Sequence, residues 1–249
     1  MFFYLFRAVN PFLIAAAVLP AVFLMLRIYR ADKLEAEPTR FLVGLVAMGI
    51  LSAGAAIVLE SIGEPLIGAI APTETIYNLL LYFIVVALSE EGAKYLFLKL
   101  RTWRSPEFNC QFDGVVYAAF VSLGFALAEN VGYVLQYGFG TALLRAVTAI
   151  PGHACFGVFM GAFYGAAKRY EHYNIEQSRT YRILSIVVPV LLHGTYDFIA
   201  TQSEGLSVLF LVFVALLFFA SYKIVVNLSR RDDYIDRLNG TGGRDPFDF

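Results

Sequence analysis

Charge is scarce in this chain, and that scarcity decides the class of protein. Asp, Glu, Lys and Arg together make up 16% of the residues, against 59% hydrophobic. A soluble domain carries about 25% charged residues, so the chain reads as a polytopic membrane protein. A net charge of -1 without any long basic run leaves no electrostatic footprint for nucleic acid, and no such partner is expected. Only two cysteines are present, Cys110 in a loop and Cys155 in an apolar stretch. Their spacing suits neither zinc nor a disulfide framework, and they read as free thiols. The zincin pattern His-Glu-x-x-His is missing too. So is a small-residue cleavage site after the apolar run from Pro11 to Leu26, which leads instead into Arg27, Ile28, Tyr29 and Arg30. That run is expected to stay as a transmembrane helix.

What the chain does have is apolar sequence of membrane length. Segments at about 9–28, 41–62, 76–98, 113–135, 146–167, 182–201 and 206–228 each approach the roughly 20 residues that cross a bilayer. The expected fold class is all-α, a polytopic transmembrane helical bundle of about seven helices. Gly44, Gly49, Ala53, Gly54, Ala55 and Ala56 make the second segment narrow, which favours close helix packing in lipid. Glu60 and Glu64 at its far end read as a solvated interface. Basic residues gather in alternate loops: Arg30, Lys33 and Arg40, then Lys99, Arg101 and Arg104, then Lys168, Arg169, Arg179 and Arg182. The loops at 65–75, 136–144 and 201–205 contain none. By the positive-inside rule the carboxyl terminus is cytoplasmic and the amino terminus outside, with Arg7 the dissenting residue.

Charges inside such segments are costly and should face one another. Glu90 and Glu91 lie in the third segment, and Lys94 follows at helical spacing from both, so it is placed to neutralise a carboxylate. The fourth segment sets Phe125 one turn from Glu129, and Asn130 adds an amide that must find partners. Asp113 at its start reads as a helix cap. His153 follows Pro151 and Gly152, a context for a kink or a helix start. His193 and Asp197 share a helix face, which lets the carboxylate orient the imidazole or stand beside it as a ligand. His172, in a loop, reads as solvated. Ligands spread over several helices could bind zinc, and a carboxylate could equally activate water alone.

Glu90-Glu91-x-x-Lys94, Phe125-x-x-x-Glu129-Asn130, Pro-Gly-His153 and His193-x-x-x-Asp197, in that order, resemble the PrsW family of intramembrane proteases. That family is distantly related to the CAAX-processing and bacteriocin-processing membrane endopeptidases. The resemblance implies an endopeptidase that cleaves membrane-anchored protein substrates in contact with membrane lipid, in regulated proteolysis of an anti-sigma factor in the namesake case. It implies a transmembrane protease domain over 1–228, and the polar stretch 229–249 is expected to be a flexible cytoplasmic tail. The candidate catalytic residues are Glu90, Glu91, His193 and Asp197, supported by Lys94, Phe125, Glu129, Asn130 and His153. Glu129, His153 and His193 are the candidate ligands of a zinc ion if the enzyme is of metallo type; a glutamic type needs no cofactor. The residues leave open a proton-coupled transporter, for which repeat-related broken helices would be required, and an inactive membrane interaction protein.

Overall fold

The computed structural model describes residues 11–202, 208–236 and 247. The chain runs α1 (Pro11–Tyr29), α2 (Thr39–Ile70), α3 (Glu74–Leu80), a π-helical segment (Leu81–Ala87), α4 (Leu88–Thr102), α5 (Asp113–Tyr137), α6 (Phe139–Val147), α7 (Ala149–Arg169), α8 (Ile175–Gln202) and α9 (Val208–Arg230). Among the described residues, seven continuous or near-continuous helical stretches are long and apolar enough to cross a membrane. They coincide with the seven expected segments. The third span is α3, the π segment and α4 together, and the fifth is α6 with α7. The second span is longer than its hydropathy suggested, because α2 continues through Pro65 to Ile70.

Helix α5 is the centre of the bundle. Its span is 78% buried, whereas that of α1 is 22% buried and presents apolar side chains outward. Lipid tails are as apolar as a leucine side chain, so burial of apolar area does not drive helices together there; close van der Waals packing does. The sequence supplies it with glycine at the contacts. A methyl group on Gly124 of α5 would overlap the Val46 carbonyl oxygen of α2, and one on Gly49 of α2 would overlap the Val121 carbonyl oxygen of α5. On the other side of α5, Gly161 of α7 lies against the Gly114 backbone, and Gly165 against that of Gln111.

The break in the fifth span is local chemistry. Gly138 adopts φ 85°, a left-handed conformation open to glycine, and starts α6. Thr148 interrupts the helix, and its hydroxyl donates to the Leu144 carbonyl at 2.7 Å. Pro151 then sits in the first turn of α7, where an amide hydrogen would have no helical acceptor. The helix start expected before His153 is thus realised.

At the end of the bundle that carries the basic loops, aromatic rings pack the segment between α4 and α5. Phe108 stacks on Tyr164 at 5.2 Å, and Trp103 meets Tyr164 edge-on at 5.1 Å. Asp113 does not cap its own helix as expected. Its Oδ2 accepts instead from the amides of Cys110 and Asn109, at 2.7 and 3.1 Å, and so fastens the preceding turn. Burial pushes the Cys110 thiol pKa up, which keeps it protonated and leaves it the free thiol expected. Beyond α9, Ile235 donates its amide to the Asn109 carbonyl at 2.8 Å, and the Ser229 hydroxyl donates to the Ala31 carbonyl. Most of the stretch read as a tail, 237–246 with 248 and 249, lies outside the described residues.

The glycine contacts give a sign reversal to test. Alanine normally stabilises a helix interior relative to glycine by about 1 kcal/mol. Gly124→Ala is expected instead to destabilise by about 1–3 kcal/mol through overpacking. Gly132→Ala, on the same helix with open space around it, should be neutral or stabilising. Thermal unfolding of the two variants in detergent checks the pair; equal shifts of the same sign would refute the packing account.

Candidate active site

The third span brings the acids into the bundle. Its π-helical segment adds a residue to the turn that precedes Glu90, a distortion that recurs at functional sites. Tyr82, Val86 and Glu90 line one cavity at four-residue intervals, the spacing of one helix face. That cavity has a volume of about 700 Å³ and lies between α2, the third span, α5, α7 and α8.

Behind it stands the buried ion cluster. Lys94 is 0% exposed, and its Nζ donates to Glu91 Oε1 at 2.7 Å and Glu90 Oε2 at 3.1 Å. It also lies 3.1 Å from His153 Nδ1 and 3.9 Å above the centre of the Phe125 ring. An ammonium group has only donors, so His153 Nδ1 accepts, and the other nitrogen, Nε2–H, donates to Glu129 Oε2 at 2.8 Å. His193 Nδ1 lies 2.9 Å from Glu91 Oε1, and its Nε2 lies 3.3 Å from Asp197 Oδ2. The two imidazoles meet edge to face, 5.3 Å between centres. His153 thus turns Nδ1 toward Lys94 and His193 turns Nδ1 toward Glu91, and each ring has Nε2 held by a carboxylate, Glu129 for His153 and Asp197 for His193.

All nine site residues of the sequence reading lie in or beside this cluster, but the two glutamates differ. Glu90 reaches the cavity wall, whereas Glu91 is 0% exposed and locked between Lys94 and His193. Asn130 lies to one side: its amide donates to the Ala17 carbonyl of α1 at 2.9 Å, and its Oδ1 accepts from Arg145 Nε at 3.1 Å. Arg145 is the residue the sequence reading passed over. It comes from α6, pairs with Glu129 Oε1 at 2.9 Å, and its guanidinium lies 4.0 Å from the centre of the Tyr133 ring. The signal was a lone arginine between apolar residues 142–144 and 146–147, at the seam between a loop and a span. Glu60 also differs from expectation: it is half-buried and lines the cavity. His172 is solvated, with a side chain 92% exposed.

The donor set fits a zinc-type ion. One ligand atom from each of Glu90, Glu91, His153 and His193 can be chosen so that all lie within 4.8 Å of one another. Glu91 Oε2 is buried with no hydrogen-bond partner among the described residues, and both imidazoles carry the outer carboxylate that orients metal-bound histidines. Glu129 is outside this group of four and touches His153 from behind. In the arrangement described, the Lys94 ammonium supplies the positive charge.

Seven membrane-length helices around a buried pair of glutamates and a pair of histidines are the arrangement of an intramembrane protease. A family model described as PrsW family intramembrane metalloprotease matches residues 37–222, and the chain belongs to that family. It is 32% identical to protease PrsW of Geobacillus kaustophilus over 86% of this chain and 90% of that protein. The protease PrsW of Clostridioides difficile is 31% identical over 88% of this chain and 90% of its own length, and that of Bacillus subtilis 30% over 76% and 83%. No solved structure matches the chain.

Removing one member of a buried charge cluster leaves the others uncompensated, at a cost of about 3–5 kcal/mol. Lys94→Met is therefore expected to lower the unfolding temperature in detergent sharply, while His172→Ala leaves it unchanged. A wild-type melting curve for Lys94→Met would show that the two carboxylates are balanced by something other than the lysine.

Proposed function

We propose that this protease hydrolyses peptide bonds of membrane-anchored proteins with Glu90 as the group that activates water. The observation that carries the assignment is the unequal placement of the adjacent glutamates. Glu90 borders the cavity, while Glu91 is enclosed by Lys94 and His193. A substrate segment must unwind to expose its scissile bond, and its freed backbone groups then need partners. The polar cavity wall, with Glu60, Glu129, Arg145 and Tyr196, supplies them.

The Glu90 carboxylate takes a proton from the water as its oxygen attacks the scissile carbonyl carbon. Glu91 Oε1 already accepts from Lys94, so the His193 ring can turn Nδ1 toward the developing oxyanion while Asp197 keeps the ring oriented. Glu90 then returns the proton to the departing amide nitrogen, and the C–N bond breaks. In the metallo type His193 Nδ1 would instead join Glu91 and His153 in holding a metal ion, which when bound would polarise the water and the carbonyl. Glu129 and Arg145 hold His153 in its tautomer.

The family resemblance extends the reading to regulated proteolysis of an anti-sigma factor in a bacterial or archaeal plasma membrane. Residues 1–228 form the protease unit, with the amino terminus outside and the carboxyl end cytoplasmic. Arg145, now beside the 138–148 break, is a basic residue on the outer side, and its pairing with Glu129 reconciles it with that orientation.

Cleavage of a membrane-anchored peptide in proteoliposomes tests the chemistry. Glu90→Gln should lower turnover by about 10²–10⁴-fold with the fold intact, because an amide cannot accept the water's proton. Undiminished turnover in that variant would remove Glu90 from the role. Exhaustive chelation followed by elemental analysis and zinc add-back decides the metal. Loss and recovery of activity with a stoichiometric ion supports the metallo type, and full activity in metal-free enzyme establishes the glutamic type. Cysteines placed at 30–38, 104–108 and 171–174 should label from the cytoplasm; labelling of 138–140 from that side would overturn the orientation.

A further inference from the structure

A second cluster of carboxylates lies at the opposite end of α5. Asp32 and Glu37 come from the α1–α2 connection, Asp113 opens α5, and Asp232 follows α9. One ligand oxygen from each of Asp32, Glu37 and Asp113 can be chosen so that the three lie within 4.8 Å of one another. Asp232 stands alongside, its Oδ1 accepting the Phe112 amide at 3.0 Å. The distance from Asp113 to Glu129, 16 residues along one helix, is about 24 Å, so this cluster is separate from the active site.

Four acids converging from three segments need compensation. Among the described residues, no lysine or arginine pairs with any of the four. The hydrogen bonds account for only part of the oxygen atoms. Glu37 Oε1 accepts from the Tyr117 hydroxyl at 2.6 Å, and Asp113 Oδ2 from the two amides of its turn. Glu37 is 4% exposed, yet its Oε2 has no hydrogen-bond partner among the described residues; nor do Asp32 Oδ2 and Asp232 Oδ2. A buried oxygen left unpaired is costly, and three of them among these four acids point to a ligand that several oxygens can bind at once.

We propose that Asp32, Glu37 and Asp113, with Asp232 beside them, bind a hard divalent cation, Mg²⁺ or Ca²⁺, that fastens the α1–α2 connection and the end of α9 to the start of α5. The class follows from the donors. They are carboxylate oxygens without thiol or imidazole, which suits Mg²⁺ or Ca²⁺ and disfavours zinc. The consequence is mechanical: the cation fixes the amino end of the helix whose other end carries Phe125, Glu129 and Asn130.

The test uses the full chain, purified in detergent and stripped with chelator, and reads luminescence of Tb³⁺ sensitised by aromatic rings. Tyr117, bonded to Glu37, is the nearby antenna. Wild type should give Tb³⁺ emission that Ca²⁺ or Mg²⁺ displaces, and should melt at a higher temperature when that same cation is present. Displacement by Ca²⁺ at far lower concentration than Mg²⁺ assigns calcium, and comparable displacement by millimolar Mg²⁺ assigns magnesium. Glu37→Gln with Asp32→Asn, which keeps side-chain shape and the acceptor for Tyr117, should weaken Tb³⁺ binding by at least about tenfold through loss of ligand charge. The His153→Ala, His193→Ala variant should bind Tb³⁺ as wild type does. Emission unchanged by the two amide substitutions, or lost in the histidine variant, overturns the site. So does a wild-type melting temperature indifferent to both cations, a reading that needs no variant to fold.

Discussion

A cation enclosed by anions in a medium that solvates neither is the constraint on which this bundle depends. Lys94 is fully buried, with two carboxylates, an imidazole and an aromatic face around its ammonium. Each of those groups alone would be expensive at membrane depth. Together they hold one another, and they fix how four helices meet. Lys94 and the glutamates come from α4, Phe125 and Glu129 from α5, His153 from α7 and His193 from α8. Any relative slide of these helices by a turn would strand a charge. The buried cluster is therefore also a register device for the bundle.

The irregular backbone follows from the same requirement. The π segment Leu81–Ala87 carries Tyr82 and Val86 on the cavity wall and leads directly into the turn that bears Glu90. The break at Thr148 lets α6 diverge from α7, which brings Arg145 onto Glu129 and Asn130 while His153 stays at depth. Non-helical backbone at such depth is tolerated where it lines a cavity or is covered by protein. Glycine contacts on both sides of α5 complete the arrangement, because only small residues let α2 and α7 approach close enough to enclose the charges.

Helix α5 has one acidic assembly at each end, and they are handled differently. Near Glu129 the balancing charges are side chains, Arg145 and Lys94. Near Asp113 the carboxylates have amide and hydroxyl donors for some oxygens and leave others unpaired. The first assembly pairs its carboxylates with side-chain cations beside a cavity. The second lies where three chain segments converge, and an added cation there would act on the fold instead of on a bond.

Composition and spacing by themselves determined the class of architecture and marked the polar residues that must converge inside it. Long apolar segments leave only helices as membrane-crossing structure, and charges within such segments must converge, so Glu90, Glu91, Lys94, Glu129, His153, His193 and Asp197 were legible as one group. Helical spacing paired Lys94 with the glutamates and His193 with Asp197 because those contacts are local in the chain. Tertiary structure alone decided what is nonlocal. It set Glu91 inside and Glu90 at the cavity, because that choice depends on where α8 presents His193. It brought Arg145 of α6 to Glu129 of α5, and made Asp113 an acceptor for the turn before its helix that also lies close to Asp32 and Glu37. Spacing along a helix fixes which side chains share a face, whereas the distances between faces are set by packing of small residues from distant segments, which one sequence does not display.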